Sequence, residues 1–217
     1  MKETILFSNV VGDITALDEE CFFNPNLVCV LRGANCENKN LVFINAPGFE
    51  NDHLYYEKIL KCFDKIGITF NSTIEISDTS KIEELAKFPK DRVYFLMGGN
   101  PLTQFALIRK YDLIEELKNY EGVVIGFCAG AINLSKNSII TTDDDFDEAL
   151  YYEGINRVDL TIEPHFHLDD TEFTKNRIKE LNNFANVLKT EIYAIPDSSV
   201  IDVLGDSVGF YGEIYKY

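Results

Sequence analysis

The stretch Gly122–Ala131, GVVIGFCAGA, joins an apolar run to a cysteine flanked by glycines. The run Val123–Ile125 is typical of a buried strand, and the residues from Ala131 to Ser135 favour a helix after it. Cys128 lies between them, with glycines two residues before and two residues after it. A sharp strand–turn–helix connection needs such glycines, because a Cβ atom at either position would clash with the neighbouring strand or helix. The stretch therefore predicts a nucleophile elbow in an α/β fold.

The position of Cys128 suits a reactive thiol. A residue at the amino-terminal end of a helix faces unpaired N–H groups and the positive end of the helix dipole, which favour an anion. The thiolate is the reactive form of cysteine, so the same field favours nucleophilic attack. A tight turn that merely buries a small apolar side chain is the alternative. Glycine on both sides and the Ala-Gly-Ala run after the cysteine favour the catalytic interpretation.

Apolar periodicity outside this stretch predicts alternating strands and helices. Strands are predicted at 5–8, 41–45, 69–76, 93–97 and 158–162, helices at 52–66, 82–88 and 171–188, and one or two helices within 102–120. This alternation is typical of a mostly parallel sheet with helices on both faces. The tail, Ile192–Tyr217, is rich in strand signals and has a hairpin turn at Gly205-Asp206. Since no repeat or linker interrupts the chain, residues 1–217 are predicted to form one domain.

Composition narrows the class of protein. The 217 residues carry a formal net charge of −16 and no basic cluster, which argues against a nucleic-acid partner. No apolar run approaches the roughly 18 residues of a membrane span, and no export signal is visible. The five cysteines include no C-x-x-C pair, so we expect reduced thiols, no zinc site and a cytoplasmic location. The oligomeric state, including a homodimer, is left open.

Loops at the carboxyl ends of parallel strands hold the ligand in open α/β sheets. Gly98-Gly99-Asn100 follows the predicted strand 93–97 and is one such loop. Its two glycines allow backbone N–H groups to face a cavity, where one could pair with the N–H group of Ala129 as an oxyanion hole. A plain strand-to-helix turn is an equal alternative for this loop.

Three histidines limit the choice of a general base. His53 begins an amphipathic helix and is expected at the surface or as a cap. His165 and His167 alternate along an extended segment, so their side chains should point to opposite sides. Pro164 fixes the backbone before His165, which suits a residue that must hold one orientation. A metal bound by the two histidines is disfavoured, since no further ligands with zinc spacing accompany them.

Several carboxylates could orient the imidazole of such a base. A patch of four aspartates follows the elbow helix: Asp143, Asp144, Asp145 and Asp147. Most of these must be solvated, because four like charges cannot all be buried. Asp197, in the run Pro196–Ser199, is a further candidate, unless it only shapes a turn.

Together these motifs resemble the dipeptidase E/cyanophycinase family of peptidases. That family has a class I glutamine amidotransferase-like, flavodoxin-like α/β fold. The shared landmarks span nearly the whole chain and occur in the family's order: Gly98-Gly99-Asn100, the elbow Gly126–Ala131, Pro164-His165-Phe166 and Pro196-Asp197-Ser198-Ser199. The resemblance therefore extends beyond the elbow alone.

The resemblance implies a role for each landmark. It makes Cys128 the nucleophile, His165 the base and Asp143, fifteen positions after the nucleophile, the third member of the site. The backbone N–H groups of Gly99 and Ala129 are implied as oxyanion donors. Substrate contacts are expected from four residues: Gly98, Asn100, Thr174 and Arg177. The implied reaction is hydrolysis of a small peptide or amide by acyl transfer, without a metal or cofactor.

Two departures from the family affect these expectations. The family's nucleophile is serine, whereas cysteine stands here, and a thiolate paired with imidazole also supports acyl transfer. The aspartyl dipeptidases bind an acidic side chain through an arginine in the helix after the histidine. Alignment on Arg177-Ile178 places Thr174 at that position, so specificity for an N-terminal aspartate is not expected.

Three other functions remain open at this point. A glutamine amidotransferase-like enzyme also uses cysteine on this fold, but His167 stands where those enzymes place a glutamate. A glyoxalase- or chaperone-like member of the superfamily would keep an elbow cysteine beside a carboxylate. A non-hydrolytic protein would keep the pocket and bind or sense a small molecule.

Overall fold

The computed structural model describes residues 1–16, 19–48, 52–80, 82–143 and 146–217, apart from the side chains of Asp52 and His53. The expectation for the His53 side chain therefore lies outside the described residues. The strands are β1 Glu3–Phe7, β2 Asn40–Ile44, β3 Ser72–Ile76, β4 Arg92–Leu96, β5 Val123–Phe127, β6 Asn137–Ile140, β7 Leu150–Glu153, β8 Thr161–Glu163, β9 Ile192–Ala194, β10 Val200–Leu204, β11 Ser207–Tyr211 and β12 Tyr215–Lys216. The helices are α1 Pro25–Gly33, α2 Asp52–Lys65, α3 Ile82–Lys87, α4 Pro101–Lys110, α5 Ile114–Asn119, α6 Ala129–Leu134 and α7 Glu172–Leu188.

The central sheet has the strand order β11-β10-β1-β5-β4-β2-β3. Five neighbouring strands, β1, β5, β4, β2 and β3, run parallel to one another. At the β1 edge, β10 pairs antiparallel with β1, and β11 pairs antiparallel with β10. The predicted mostly parallel sheet is therefore confirmed. The predicted hairpin is also present, because Gly205, with φ 59°, and Asp206 link the paired strands β10 and β11.

Helices cover both faces of this sheet, since successive strand residues point to opposite sides. On one face, Phe7, Phe43 and Phe95 belong to a buried cluster that includes side chains of α1 and α2. On the other face, Leu6 and Leu96 belong to a cluster with side chains of α4, α5 and α6. The sheet is thus the middle layer between two apolar cores.

The structure adds elements that periodicity did not predict. The apolar run Leu27–Leu31 belongs to helix α1, where Asn24 caps the first turn by accepting from Leu27 N and Pro25 occupies the first helical position. The predicted helical segment 102–120 is two helices, α4 and α5. The β6–β7 hairpin was missed, because both strands have only four residues and β7 is only partly buried. Among the described residues, no helix has the length and apolar content that crossing a bilayer requires.

Two glycines let α6 approach the sheet closely. A Cβ atom on Gly126 would lie 2.8 Å from the backbone nitrogen of Ala131, and a Cβ atom on Gly130 would lie 2.6 Å from Leu96 Cβ. Because these neighbours are backbone atoms or buried side chains, neither position can accept a larger residue without moving α6. The contacts therefore fix the start of α6, and with it Cys128, against β4 and β5.

We expect Gly130→Ala to lower the free energy of unfolding by about 1–3 kcal/mol, as overpacking does in a close-packed interior. Gly33→Ala is the matched control, since a Cβ atom there has no neighbour within 4 Å, and it should leave stability unchanged or slightly higher. Urea denaturation of both variants measures the difference. Equal stability of the two variants would contradict the close packing of α6.

Candidate active site

Cys128 occupies the connection between β5 and α6 in a rare backbone conformation, with φ 48° and ψ −105°. Its amide N–H donates to the carbonyl oxygen of Phe7 at 3.0 Å, and its own carbonyl oxygen accepts from Ile132 N at 3.1 Å. These bonds hold the turn from the sheet side and from the helix side. The thiol is half-buried and faces a cavity.

An imidazole and a carboxylate lie beside this thiol. His165 Nδ1 is 2.7 Å from Asp197 Oδ1, and the Cys128 side chain lies in the same cavity wall, close enough to interact with the ring. Because Nδ1 is engaged by the carboxylate, Nε2 is the ring nitrogen that remains for the sulfur. The three side chains therefore form a continuous sulfur–imidazole–carboxylate chain.

The charges of this chain support one another. Burial by itself lowers the pKa of His165, but the charge of the Cys128 thiolate and the Asp197 carboxylate outweigh it and raise this pKa to about 10. Burial by itself raises the pKa of Asp197, but the hydrogen bond and charge of His165 outweigh it and lower this pKa to about 2. At pH 7 the imidazole is therefore protonated and the aspartate ionised.

Three further side chains surround the Asp197 carboxylate. Ser8 Oγ donates to Oδ1 at 3.0 Å, Asn9 Nδ2 donates to Oδ2 at 3.3 Å, and His167 Nε2 lies 3.6 Å from Oδ2. Ser8 and Asn9 were not among the predicted site residues. The sequence does indicate them, because they are two polar residues that follow the buried strand β1 at its carboxyl end.

The expectation that His165 and His167 point to opposite sides is wrong, since both reach the Asp197 carboxylate. Side chains alternate only along extended backbone, and His165 has a left-handed φ of 53°.

Within the described part of the chain, no three His, Cys, Asp or Glu side chains form a group that could hold a metal ion.

Asp143 does not hold the position against His165 Nδ1 that the resemblance implied for it, because Asp197 occupies that position. Asp143 lies in the cavity wall, where its Oδ1 accepts from Phe146 N at 2.9 Å and closes a turn. The alternatives Asp144 and Asp145 lie outside the described residues. Asp197, which the sequence left open as a further candidate or a turn residue, is the carboxylate that lies against His165 Nδ1.

Strand pairing explains why Ser8 and Cys128 meet. β1 lies between β5 and β10, and Phe7 pairs with Phe127 on one side and with Val200 on the other. Ser8 and Cys128 are the next residues after Phe7 and Phe127, so both leave the parallel pair at its carboxyl edge. The antiparallel strand β10 begins at the same edge.

The small sheet brings the imidazole and the carboxylate to this edge. β8 and β9 are parallel, with Glu163 opposite Ala194. His165 lies two residues beyond Glu163, and Asp197 lies three residues beyond Ala194, so both emerge at the shared carboxyl end of this pair. The chain then enters β10, which returns it along β1.

The site opens into a cavity of about 740 Å³. Gly98 and Gly99 form part of its wall beside Cys128. Most of the other uncharged residues of the wall are apolar or aromatic: Ile14, Tyr55, Pro101, Phe127, Ile132, Ile140, Phe146 and Pro164. Asp13 and Asp143 contribute carboxylates to the wall, and Glu163, His165 and Arg177 contribute the remaining charged groups. The cavity is large enough for a small peptide.

Gly99 and Ala129, the residues expected to supply the oxyanion donors, are close to Cys128 in the chain fold. Gly98 packs against Cys128, since a Cβ atom there would lie 3.3 Å from Cys128 Cβ, and Gly99 follows with φ 123°. Ala129 is the first residue of α6, so its N–H group belongs to the unpaired end of that helix. Asn100 instead caps α4, since its Oδ1 accepts from the N–H groups of the first helical turn. Its predicted substrate contact is therefore replaced by a structural role.

The two substrate-binding residues expected on α7 are engaged within the protein. Thr174 is buried, and its hydroxyl group donates to the His167 carbonyl oxygen at 3.3 Å. Arg177 reaches the cavity wall, but its Nε pairs with Glu163 and its Nη1 and Nη2 donate to backbone carbonyl oxygens. Both side chains are therefore engaged within the protein, and the substrate contacts expected of them stay predictions.

Comparisons with known proteins bear on the fold and the family of the chain. No curated protein matches the chain. A crystal structure from Listeria monocytogenes EGD-e, of a protein assigned as a peptidase E, is similar with a TM-score of 0.67 and 20% sequence identity, over 97% of this chain and 98% of that one. At this identity the likeness shows the shared fold. The model of peptidase family S51 matches residues 23–210, and the chain therefore belongs to peptidase family S51.

Proposed function

We propose that this family member is a cysteine-dependent peptidase that hydrolyses small peptides or amides through Cys128, His165 and Asp197. The observation that carries the proposal is the ring of His165, bonded to Asp197 at Nδ1 and close enough to Cys128 in the same cavity wall for the two side chains to interact. The same arrangement of nucleophile, imidazole and carboxylate supports acyl transfer on unrelated folds. Asp197 takes the role that the resemblance gave to Asp143.

The geometry supports a two-step reaction. The Cys128 thiolate attacks the amide carbonyl carbon and forms a C–S bond, while the N–H groups of Gly99 and Ala129 stabilise the oxyanion. Protonated His165 gives its proton to the leaving amine as the C–N bond breaks. Neutral His165 then takes a proton from water, whose oxygen attacks the thioester, and the thiolate leaves as the free acid forms.

The charge of the cavity supports a neutral or basic substrate. Among the described residues of its wall, the cationic side chains His165 and Arg177 each pair with a carboxylate of the protein. Asp13 and Asp143 add negative charge to the same wall. An acidic substrate side chain would meet like charges without a cation to bind.

We expect Cys128 to react with iodoacetamide at about pH 6, where an isolated thiol is protonated, because a protonated imidazole stabilises the thiolate. Since His165 keeps its proton up to a pKa of about 10, this reactivity should persist across neutral pH. Site-resolved mass spectrometry of labelling from pH 5 to pH 9 measures it. His165→Ala should remove the advantage, whereas His167→Ala, which changes an exposed neighbour, should keep most of it. Equal profiles of wild type and His165→Ala would refute the pair.

Asp197→Asn should lower peptidase turnover by about 10²–10⁴-fold, because the amide no longer holds a protonated imidazole. The pKa of His165 should fall, since the carboxylate helps to raise it. Titration of the histidine ring signals by NMR reports this shift directly. Asp143→Asn is the matched control, and it should leave the His165 titration close to that of the wild type. If Asp143→Asn lowered the pKa of His165 and Asp197→Asn did not, Asp143 would be the group that orients the imidazole.

Among dipeptides that differ in the amino-terminal residue, an aspartyl substrate should have the lowest kcat/KM, at least about tenfold below leucyl or lysyl substrates. Asp13→Asn should reduce the difference in kcat/KM between lysyl and aspartyl substrates, because it removes one carboxylate of the cavity wall. A preference for the aspartyl substrate would contradict the cavity electrostatics. Binding of the panel without turnover in the wild type would favour the non-hydrolytic alternative.

A further inference from the structure

The backbone of His165 is held in an unfavourable conformation. Its φ of 53° places it in the left-handed region, which is unfavourable for a residue that has a Cβ atom. The side chain direction of a residue follows from its backbone, so this conformation determines where the imidazole lies. Something in the surrounding structure must stabilise it.

Hydrogen bonds hold the peptide groups on both sides of His165. Its N–H group donates to Ser8 Oγ at 2.6 Å. Its carbonyl oxygen accepts from Arg177 Nη1 at 2.9 Å, and Arg177 Nη2 donates to the carbonyl oxygen of Pro164 at 2.7 Å. One guanidinium group thus binds two consecutive carbonyl groups and sets their relative orientation.

Arg177 is itself held by a buried carboxylate. Its Nε pairs with Glu163 Oε1, which also accepts from Thr141 Oγ1 at 2.7 Å. The Glu163 side chain is 2% exposed and the Arg177 side chain 11% exposed. A buried ion pair is weak evidence for stability, because desolvation opposes the attraction of its charges. Its geometry here is that of a rigid fork aimed at the histidine backbone.

We propose that Arg177, anchored by Glu163, is a positioning residue that keeps the His165 backbone left-handed so that the imidazole spans Cys128 and Asp197. In this role it acts on the backbone, through the two carbonyl groups that it binds. The inference rests on the proposed function for the meaning of the Cys128–His165 pair, but the position of the ring can be measured independently. Lysine cannot replace Arg177, since one ammonium group lacks the planar fork that reaches Glu163 and both carbonyl groups.

The decisive variant removes the fork without leaving a buried charge. Glu163→Leu/Arg177→Met replaces both members of the pair by apolar side chains, a change that is often neutral or stabilising for the fold. Arg177→Lys is the second variant, and it keeps the charge opposite Glu163 if the double variant does not fold. Lys179→Met is the control, because it removes one positive charge from an exposed position of the same helix.

The readout is the rate constant for iodoacetamide labelling of Cys128 from pH 5 to pH 9, with NMR titration of His165 in the same samples. We expect both fork variants to label at least tenfold more slowly than the wild type at pH 6 and within about twofold of it at pH 9, where an ordinary thiol is largely ionised. The His165 pKa should fall towards its ordinary value of about 6.5. Lys179→Met should follow the wild type in both measurements.

The outcomes separate this inference from the proposed function. If the fork variants fold and their Cys128 labelling and His165 titration equal those of the wild type, the positioning role is overturned and the peptidase proposal stays intact. If Cys128 of the wild type is labelled like an ordinary thiol, and the fork variants leave the His165 titration unchanged, both the positioning role and the peptidase proposal are refuted. A His165 titration that shifts only in the fork variants, without peptide turnover in the wild type, would support positioning and count against the peptidase.

Discussion

The backbone at Cys128 adopts φ 48° and ψ −105°, a combination that residues with a side chain rarely occupy, and the site is arranged around it. Such a residue costs about 1–3 kcal/mol and persists only where the surroundings over-determine it. Here the sheet supplies one constraint through the bond from Cys128 N to the Phe7 carbonyl oxygen, and α6 supplies another through its contacts at Gly126 and Gly130. The strain places the thiol on the cavity instead of in the core.

His165 is a second residue with a positive φ, so two constrained backbones place the thiol and the imidazole in the same cavity wall. The polar groups that stabilise them come from different layers of the molecule. Ser8 is at the end of a central strand, Asp197 is in a turn between two sheets, and Arg177 is on the last long helix. Because each of these groups is hydrogen-bonded, their burial does not leave unsatisfied polar atoms at the site.

Much of the architecture could be predicted from local patterns. Buried strands with continuous apolar runs and amphipathic helices were found at nearly the observed bounds, and the glycines around Cys128 identified the elbow. The errors have physical causes. Apolar content alone did not assign the run Leu27–Leu31, which the cap at Asn24 makes a helix. The expected alternation of His165 and His167 assumed extended backbone and failed at a left-handed residue.

Local patterns were enough to predict the mostly parallel α/β sheet, the nucleophile candidate Cys128 and its histidine partner, because spacing, glycines and apolar periodicity are properties of short segments. Contacts between distant segments were needed to find that Asp197, and not Asp143, lies against the imidazole. That choice depends on the parallel pairing of β8 with β9 and on the antiparallel return of β10 along β1. Strand order and direction are set by packing between distant segments, and no local pattern records which of several aspartates such pairing will bring to His165.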